Sequence, residues 1–132
     1  MSSQVPTEFF AEASSGVLQL AERVSQLAGQ FRSHDVKEAN DGLALMTKDL
    51  GQFAAVVAAL EGPLSIDPAR LTVEGLSPDQ QIARLANWLE LLIEAQHGGD
   101  WLTIADILEL DLEPLLRAWV PLLLECAPGS IQ

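Results

Sequence analysis

The chain has 132 residues, enough for one domain with a substantial core and too few for two. Hydrophobic residues make up 48% of it, which is ordinary for a globular protein and too high for a disordered one. Asp and Glu number 19 against 7 Lys and Arg, a formal net charge of −12, so nucleic acid and anionic membrane surfaces are repelled rather than attracted.

The opening stretch, MSSQVPTEFF, has neither a basic n-region nor an apolar h-region, so no secretory signal is expected. The first helix is predicted to start near Thr7 and to reach about Arg32. Phe10, Ala13, Val17, Leu20, Val24, Leu27 and Phe31 recur at alternating steps of three and four, which lines them up on one helical face. Gln19, Glu22, Arg23, Gln26 and Gln30 occupy the other face, while Gly16 and Gly29 each weaken the helix by about 1 kcal/mol relative to Ala. Ser33-His34-Asp35 is a short break in which Asp35 and Glu38 have the spacing of a helix-capping pair. Arg32, His34 and Lys37 make a small basic spot there; the remaining cations are scattered.

The second helix repeats the alternation through Val36, Ala39, Leu43, Met46, Leu50, Phe53, Val57 and Leu60. Gly62-Pro63 ends it, because Pro63 has no N–H to donate and disfavours helix in the residue before it. The connection between these two helices is so short that they should be antiparallel neighbours. Residues 61–76, EGPLSIDPARLTVEGL, are irregular: two prolines and two glycines forbid a long helix. Yet Leu64, Ile66, Leu71, Val73 and Leu76 are too apolar for a free linker. The segment is either a strap burying those five side chains over one end of the bundle or a functional loop, and LTVEG is a candidate for a short extended piece.

The third helix opens at Ser77 as N-cap, with Pro78 at the first helical position and Gln80 completing a capping box. Its inner face carries Ile82, Leu85, Ala86, Leu89, Leu92 and Ile93, and its outer face Arg84, Asn87, Glu90, Glu94 and His97. The chain folds back at Gly98-Gly99. The fourth helix repeats Trp101, Ala105, Leu108, Leu112, Leu115, Trp119 and Leu122, with Asp106, Glu109 and Glu113 as its polar stripe. Pro114 should kink or split this helix near Asp111, Pro121 should do the same near its end, and Pro128-Gly129 closes the ordered chain. The most apolar window, Leu115 to Leu124, is far short of the roughly 20 residues a membrane span requires and is interrupted by Arg117 and Pro121, so no span is expected. Cys126, the single cysteine, cannot form an internal disulfide and reads as an apolar filler; a reducing, cytoplasmic setting is expected.

The fold class is therefore all-α: one domain over residues 1–132, ordered from about 7 to 126. It is expected to be an antiparallel four-helix bundle, its last helix kinked or split at Pro114, with a long loop at 61–76. An apolar excess remains. Leu102, Ile107, Leu110, Leu116, Val120 and Leu123 lie off the main seam of the fourth helix, and Trp88 and Leu91 off that of the third. Such a second flank calls for another surface to cover it, either the 61–76 loop or a second subunit, and a homodimer through the third and fourth helices is the preferred account.

Chemistry-bearing motifs are scarce. Glu94-Ala-Gln-His97 has the Glu-x-x-His spacing of a carboxylate-bridged metal bundle, but such a site needs the pair twice, and Phe31 stands three residues before the other histidine, His34. As an exposed stripe, Glu90, Glu94 and His97 place His97 favourably near the negative end of the third helix. Asp106, Glu109, Asp111 and Glu113 read as a solvated face rather than an acid/base cluster. There is no phosphate-binding Gly-rich loop, nucleophile elbow or Ser/His/Asp arrangement, and Trp88, Trp101 and Trp119 read as core or interface anchors.

The segment GDWLTIADILELDLEPLL, Gly99 to Leu116, resembles a recurring stretch in a family of small, uncharacterised bacterial all-helical proteins. The helix-two segment VKEANDGLALMTKDLGQFAAVVAAL is similar to their preceding helix. The likeness spans about residues 20 to 125. Leu110 stands where the family has an aromatic, Asp111 replaces Glu, and the 61–76 loop is extra. The resemblance implies a neighbourhood of motility or flagellar genes for some members and no assigned activity.

These readings converge on a non-enzymatic adaptor, accessory or chaperone-like bundle without cofactor. An apolar flank of the third and fourth helices would take a basic amphipathic helix from a partner protein. The residues expected to carry it are Trp88, Leu91, Asp106, Ile107, Glu109, Leu110 and Glu113. The rival readings are a ligand- or metal-binding bundle using Glu90, Glu94 and His97, and a purely structural homodimer.

Overall fold

In a computed structural model, residues 7–33 and 35–126 are described; the expectations placed on His34 and on Pro128-Gly129 lie outside them. The described chain is all-helical, with four helical segments and no strand. The first three are α1 (Thr7–Arg32), α2 (Val36–Glu61) and α3 (Pro78–Gly98). The fourth is a continuous run made of α4 (Trp101–Asp106), a π-helical segment (Ile107–Leu112) and α5 (Glu113–Glu125). A four-helix bundle fits this arrangement.

α1 is the hub. It packs most extensively on α5, then on α2 and α4, and it also meets the π segment. That explains why its buried stripe is wider than the seven-residue seam: Ser14, Ala21 and Ala28 are buried beside Phe10, Val17, Leu20, Val24, Leu27 and Phe31. Ser14 is tolerated there because its hydroxyl donates to the Val120 carbonyl at 2.8 Å. Two aromatic contacts tie the hub's neighbourhood together: Phe31 stacks on Trp101 at 6.0 Å, and Phe53 meets the fully buried Trp119 edge-on at 5.5 Å. Packing on α1 also buries Ile107, Leu116 and Leu123, so three of the eight residues of the expected apolar excess belong to the core.

α2 buries Ala39, Leu43, Met46, Leu50, Phe53, Val57 and Leu60, the seam read from the sequence apart from half-buried Val36. The capping pair expected at its start does not form, since Asp35 makes no side-chain cap. Instead its backbone N–H donates to the Gln30 carbonyl at 3.0 Å, which fixes the break through the last turn of α1. By length and composition α2 is also apolar enough to cross a membrane. Its best 18-residue window has a mean hydropathy of 1.4, a third of it buried, so a longer apolar stretch lies here in addition to Leu115–Leu124.

The 61–76 segment is a strap. A 3₁₀ turn at Pro68–Leu71 is capped by Asp67, which accepts from the Ala69 N–H at 3.0 Å. The expected extended piece reduces to a single bridge between Val73 and Leu76, closed by a tight turn with Glu74 at φ 53° and Gly75 at φ 78°. Of the five side chains expected to be buried, Leu71 and Val73 are, whereas Leu64, Ile66 and Leu76 are half-buried, and the strap is stitched to the helices by Gln81. The Gln81 amide donates to the carbonyls of Leu71 (2.8 Å) and Leu76 (3.0 Å), and its oxygen accepts the Trp119 indole N–H at 2.6 Å. Arg70 adds a bond to the Glu125 carbonyl at 2.8 Å.

The capping box of α3 forms as read: the Gln80 N–H donates to Ser77 Oγ at 3.2 Å, and the Ser77 N–H to Gln80 Oε1 at 2.9 Å. Gly99, in the left-handed region at φ 67°, turns the chain, and Asp100 caps α4 by accepting from Thr103. The irregularity expected near Asp111 is present as the π segment. Pro114 cannot donate to Leu110, and the ladder upstream widens so that the Glu113 N–H reaches the Leu108 carbonyl, five residues back. Pro121, by contrast, does not end the run, which continues to Glu125. A proline inside a helix costs about 3 kcal/mol; burial of Leu123 and Cys126 beyond it offsets that cost.

Candidate interaction surface

Only part of the expected site is at the surface. Leu110 is 66% exposed, Leu102 58% and Leu91 40%, three large apolar side chains on α3 and the fourth run. Trp88 is half-buried beside them. Ile107, expected to face a partner, is 7% exposed and belongs to the core, because the π segment directs it into the packing with α1.

Trp88 and Leu110 line one cleft of about 110 Å³. Leu76, Val73 and Leu115 supply its other apolar walls, and Glu74, Arg84 and Asp111 its charged ones. Three pieces of local structure build it. The strap brings in Val73 and Leu76 through the Gln81 bonds. The capped start of α3 sets the position of Arg84 and Trp88. The widened turn ahead of Pro114 presents Leu110 and Asp111. The volume matches one medium-sized apolar side chain, the scale of a knob from a docked helix rather than of a drug-sized ligand, whose pockets start at about 300 Å³.

The expected acidic rim is internally compensated. Arg32, at the end of α1, donates from one Nη2 to Asp106 (3.0 Å) and to Glu109 (2.6 Å). Those bonds, Glu109 first and Asp106 second, hold its guanidinium above its usual pKa. Glu113 accepts from Arg117 Nε at 2.7 Å, one turn along α5. Of the three rim carboxylates read from the sequence, all are thus paired, and the charges lining the cleft are Glu74, Asp111 and Arg84.

Glu90, Glu94 and His97 lie exposed along α3. The His97 Nδ1 stands 3.0 Å from the Ile93 carbonyl, an intrahelical bond that leaves only Nε2 outward. Among the described residues, no group of three or more His, Cys, Asp or Glu is placed to share a metal ion. Cys126 is buried near Arg70; burial raises its thiol pKa more than that cation lowers it, so it is a poor nucleophile.

Sequence reading missed Glu74, Arg84 and the Val73–Leu76 wall. Arg84 precedes Trp88 by four residues, the spacing of same-face helical neighbours, which was a legible signal; the strap's approach to α3 left none.

The molecule is thus an all-helical four-helix protein with a small, open apolar cleft at the junction of strap, α3 and π segment. The chain belongs to the family described as Domain of unknown function (DUF8042), whose model matches residues 8–121. The family match carries no link to bacteria or to motility genes. No curated protein and no solved structure matches the chain.

Proposed function

We propose that this protein is a non-enzymatic interaction module: an antiparallel four-helix bundle that docks a basic amphipathic helix of a partner protein across α3 and the π-containing run. One observation carries the reading. Trp88 and Leu110, distant in sequence, meet on a cleft the size of one apolar side chain, with Leu110 exposed at its edge. A docked helix would seat one apolar knob there and lay its neighbours at i+3 and i+4 along Leu91 and Leu102. The partner's basic character follows from the net charge of −12, which repels acidic chains and steers cationic ones, and from Glu74 and Asp111 at the cleft. Asp106 and Glu109 contribute less than their number suggests, because Arg32 already neutralises part of their charge.

The test uses a synthetic helical peptide with leucines at i, i+3, i+4 and i+7 and lysines elsewhere, titrated calorimetrically into the protein. Binding should weaken as salt rises. It should fall at least tenfold on Leu110→Glu, and it should vanish for a control peptide with serines in place of the leucines. Equal binding of both peptides would reduce the interaction to bulk charge and contradict a docking cleft. Leu110 is exposed, so its replacement should leave the helical circular dichroism unchanged.

A further inference from the structure

In so acidic a chain an arginine has carboxylates within easy reach, and most of the arginines use them. Arg23 pairs with Asp49, Arg32 with Asp106 and Glu109, and Arg117 with Glu113. Arg70 donates to the Glu125 carbonyl. Arg84 stands apart. Among the described residues it is the one arginine with no hydrogen bond or ion pair, although Glu74 and Asp111 line the same cleft. It is exposed on α3, four residues before half-buried Trp88, so the two side chains rise from one face of that helix, one turn apart. Glu74 belongs to the strap, in the turn closed by the two backbone bonds between Val73 and Leu76, at 3.1 and 2.9 Å, and Asp111 belongs to the π segment. The cleft therefore carries both signs on separate elements, a cation on α3 and carboxylates on the other two.

We propose, resting on the docking reading above, that Arg84 receives a carboxylate of the docked helix: the partner is a basic amphipathic helix with one aspartate or glutamate at a fixed place beside its apolar knob. The place follows from α3. Leu91 lies three residues after Trp88 and Arg84 four before it, so a helix whose knob sits at Trp88 meets them on opposite sides. Its apolar neighbours at i+3 and i+4 run along Leu91, and the carboxylate stands one turn the other way, four residues from the knob. A guanidinium fits a carboxylate through two parallel N–H···O bonds, which fixes the register of the docked helix as well as adding affinity. Lysines flanking the knob face Glu74 and Asp111 instead. Bulk charge acts in the opposite sense. On a chain of net charge −12, exchanging a peptide lysine for glutamate removes attraction, so a gain in affinity from that exchange is the mark of a local partner.

Calorimetric titration of the full chain with three peptides tests the proposal. One is the leucine–lysine helix, and the other two carry a single glutamate in place of lysine, four residues before the first leucine or four after the last, one for each direction of docking. One glutamate peptide should bind about threefold to tenfold more tightly than the leucine–lysine helix. Arg84→Gln should remove that gain without weakening the leucine–lysine helix, and with helical circular dichroism intact, since Arg84 is exposed. Binding of the leucine–lysine helix with no gain from either glutamate, or a gain that persists in Arg84→Gln, would overturn the role of Arg84 and leave the docking reading standing. Failure of all three peptides to bind would overturn both.

Discussion

The amide of Gln81 joins three parts of the chain that are far apart in sequence, since it bonds two strap carbonyls and the indole of Trp119. Removing the amide takes that partner from the Leu71 carbonyl and the Trp119 N–H, both in buried residues, whereas the Leu76 carbonyl keeps the bond from the Val73 N–H at 3.1 Å. Gln81→Ala should therefore cost about 2–4 kcal/mol in urea unfolding, more than an ordinary large-to-small change at a half-buried site; a cost under 1 kcal/mol would mean the strap is held by its apolar side chains alone. Glu61 makes a pH prediction. Loss of hydration, and secondarily the neighbouring Asp79, raise its pKa in the folded state. The folded protein then holds a proton the unfolded chain releases, so this contribution is intact in acid and is lost as pH rises through the folded-state pKa. Urea midpoints measured from acid to neutral pH should show that decline in the native chain and a smaller one in Glu61→Gln, which should also be the more stable at neutral pH. Neither group was legible in advance: the sequence marks Gln80 as the cap residue but says nothing of where its neighbour points, and Asp79 approaches Glu61 only once the strap has folded.

At the scale of the elements, the three-four alternation located all four helical segments, because a buried face on a helix has no other period to follow. The starts and stops were legible where the chemistry is local, as in the Ser77–Gln80 box and the Gly99 turn. They were not where a distant contact competes: the Asp35 cap yielded to the Gln30 carbonyl, and Pro121 yielded to burial of the side chains beyond it. The π segment needed both the proline and the packing of Ile107, Leu108 and Leu112 to be known together. Two glycines separate conformation from propensity. Gly99 sits at φ 67°, so Gly99→Ala should lower stability by about 1–2 kcal/mol. Gly29 lies within α1 with open space where a Cβ would project, so Gly29→Ala should raise stability by up to about 1 kcal/mol. Thermal unfolding of the pair should move in opposite directions; a shift of the same sign in both would refute the assignment of the turn to Gly99.

For the whole molecule, the balance of charge and exposed apolar surface decides what it can meet. α1 gathers α2, α4, the π segment and α5 around itself, while α3 packs chiefly on α4 and only lightly on α2. This leaves α3 with half-buried Trp88 and exposed Leu91 and Ile93. The sequence disclosed the excess of apolar residues and its general place, since Trp88, Leu91, Leu102 and Leu110 were all read as off-seam. It did not disclose that α1 would cover Ile107, Leu116 and Leu123, nor that Arg32 would reach across 74 and 77 residues to Asp106 and Glu109. Arg32→Ala should consequently uncover two carboxylates and strengthen binding of a lysine-rich peptide at low salt, an effect that high salt removes.

The docking account is tested most directly by the indole N–H signals of Trp88, Trp101 and Trp119 in a nitrogen-15 correlation spectrum recorded during titration with the leucine–lysine peptide. The Trp88 signal should move saturably and in step with calorimetric binding, while that of Trp119, enclosed and bonded to Gln81, stays in place. An unmoved Trp88 at full peptide saturation would contradict docking at this cleft.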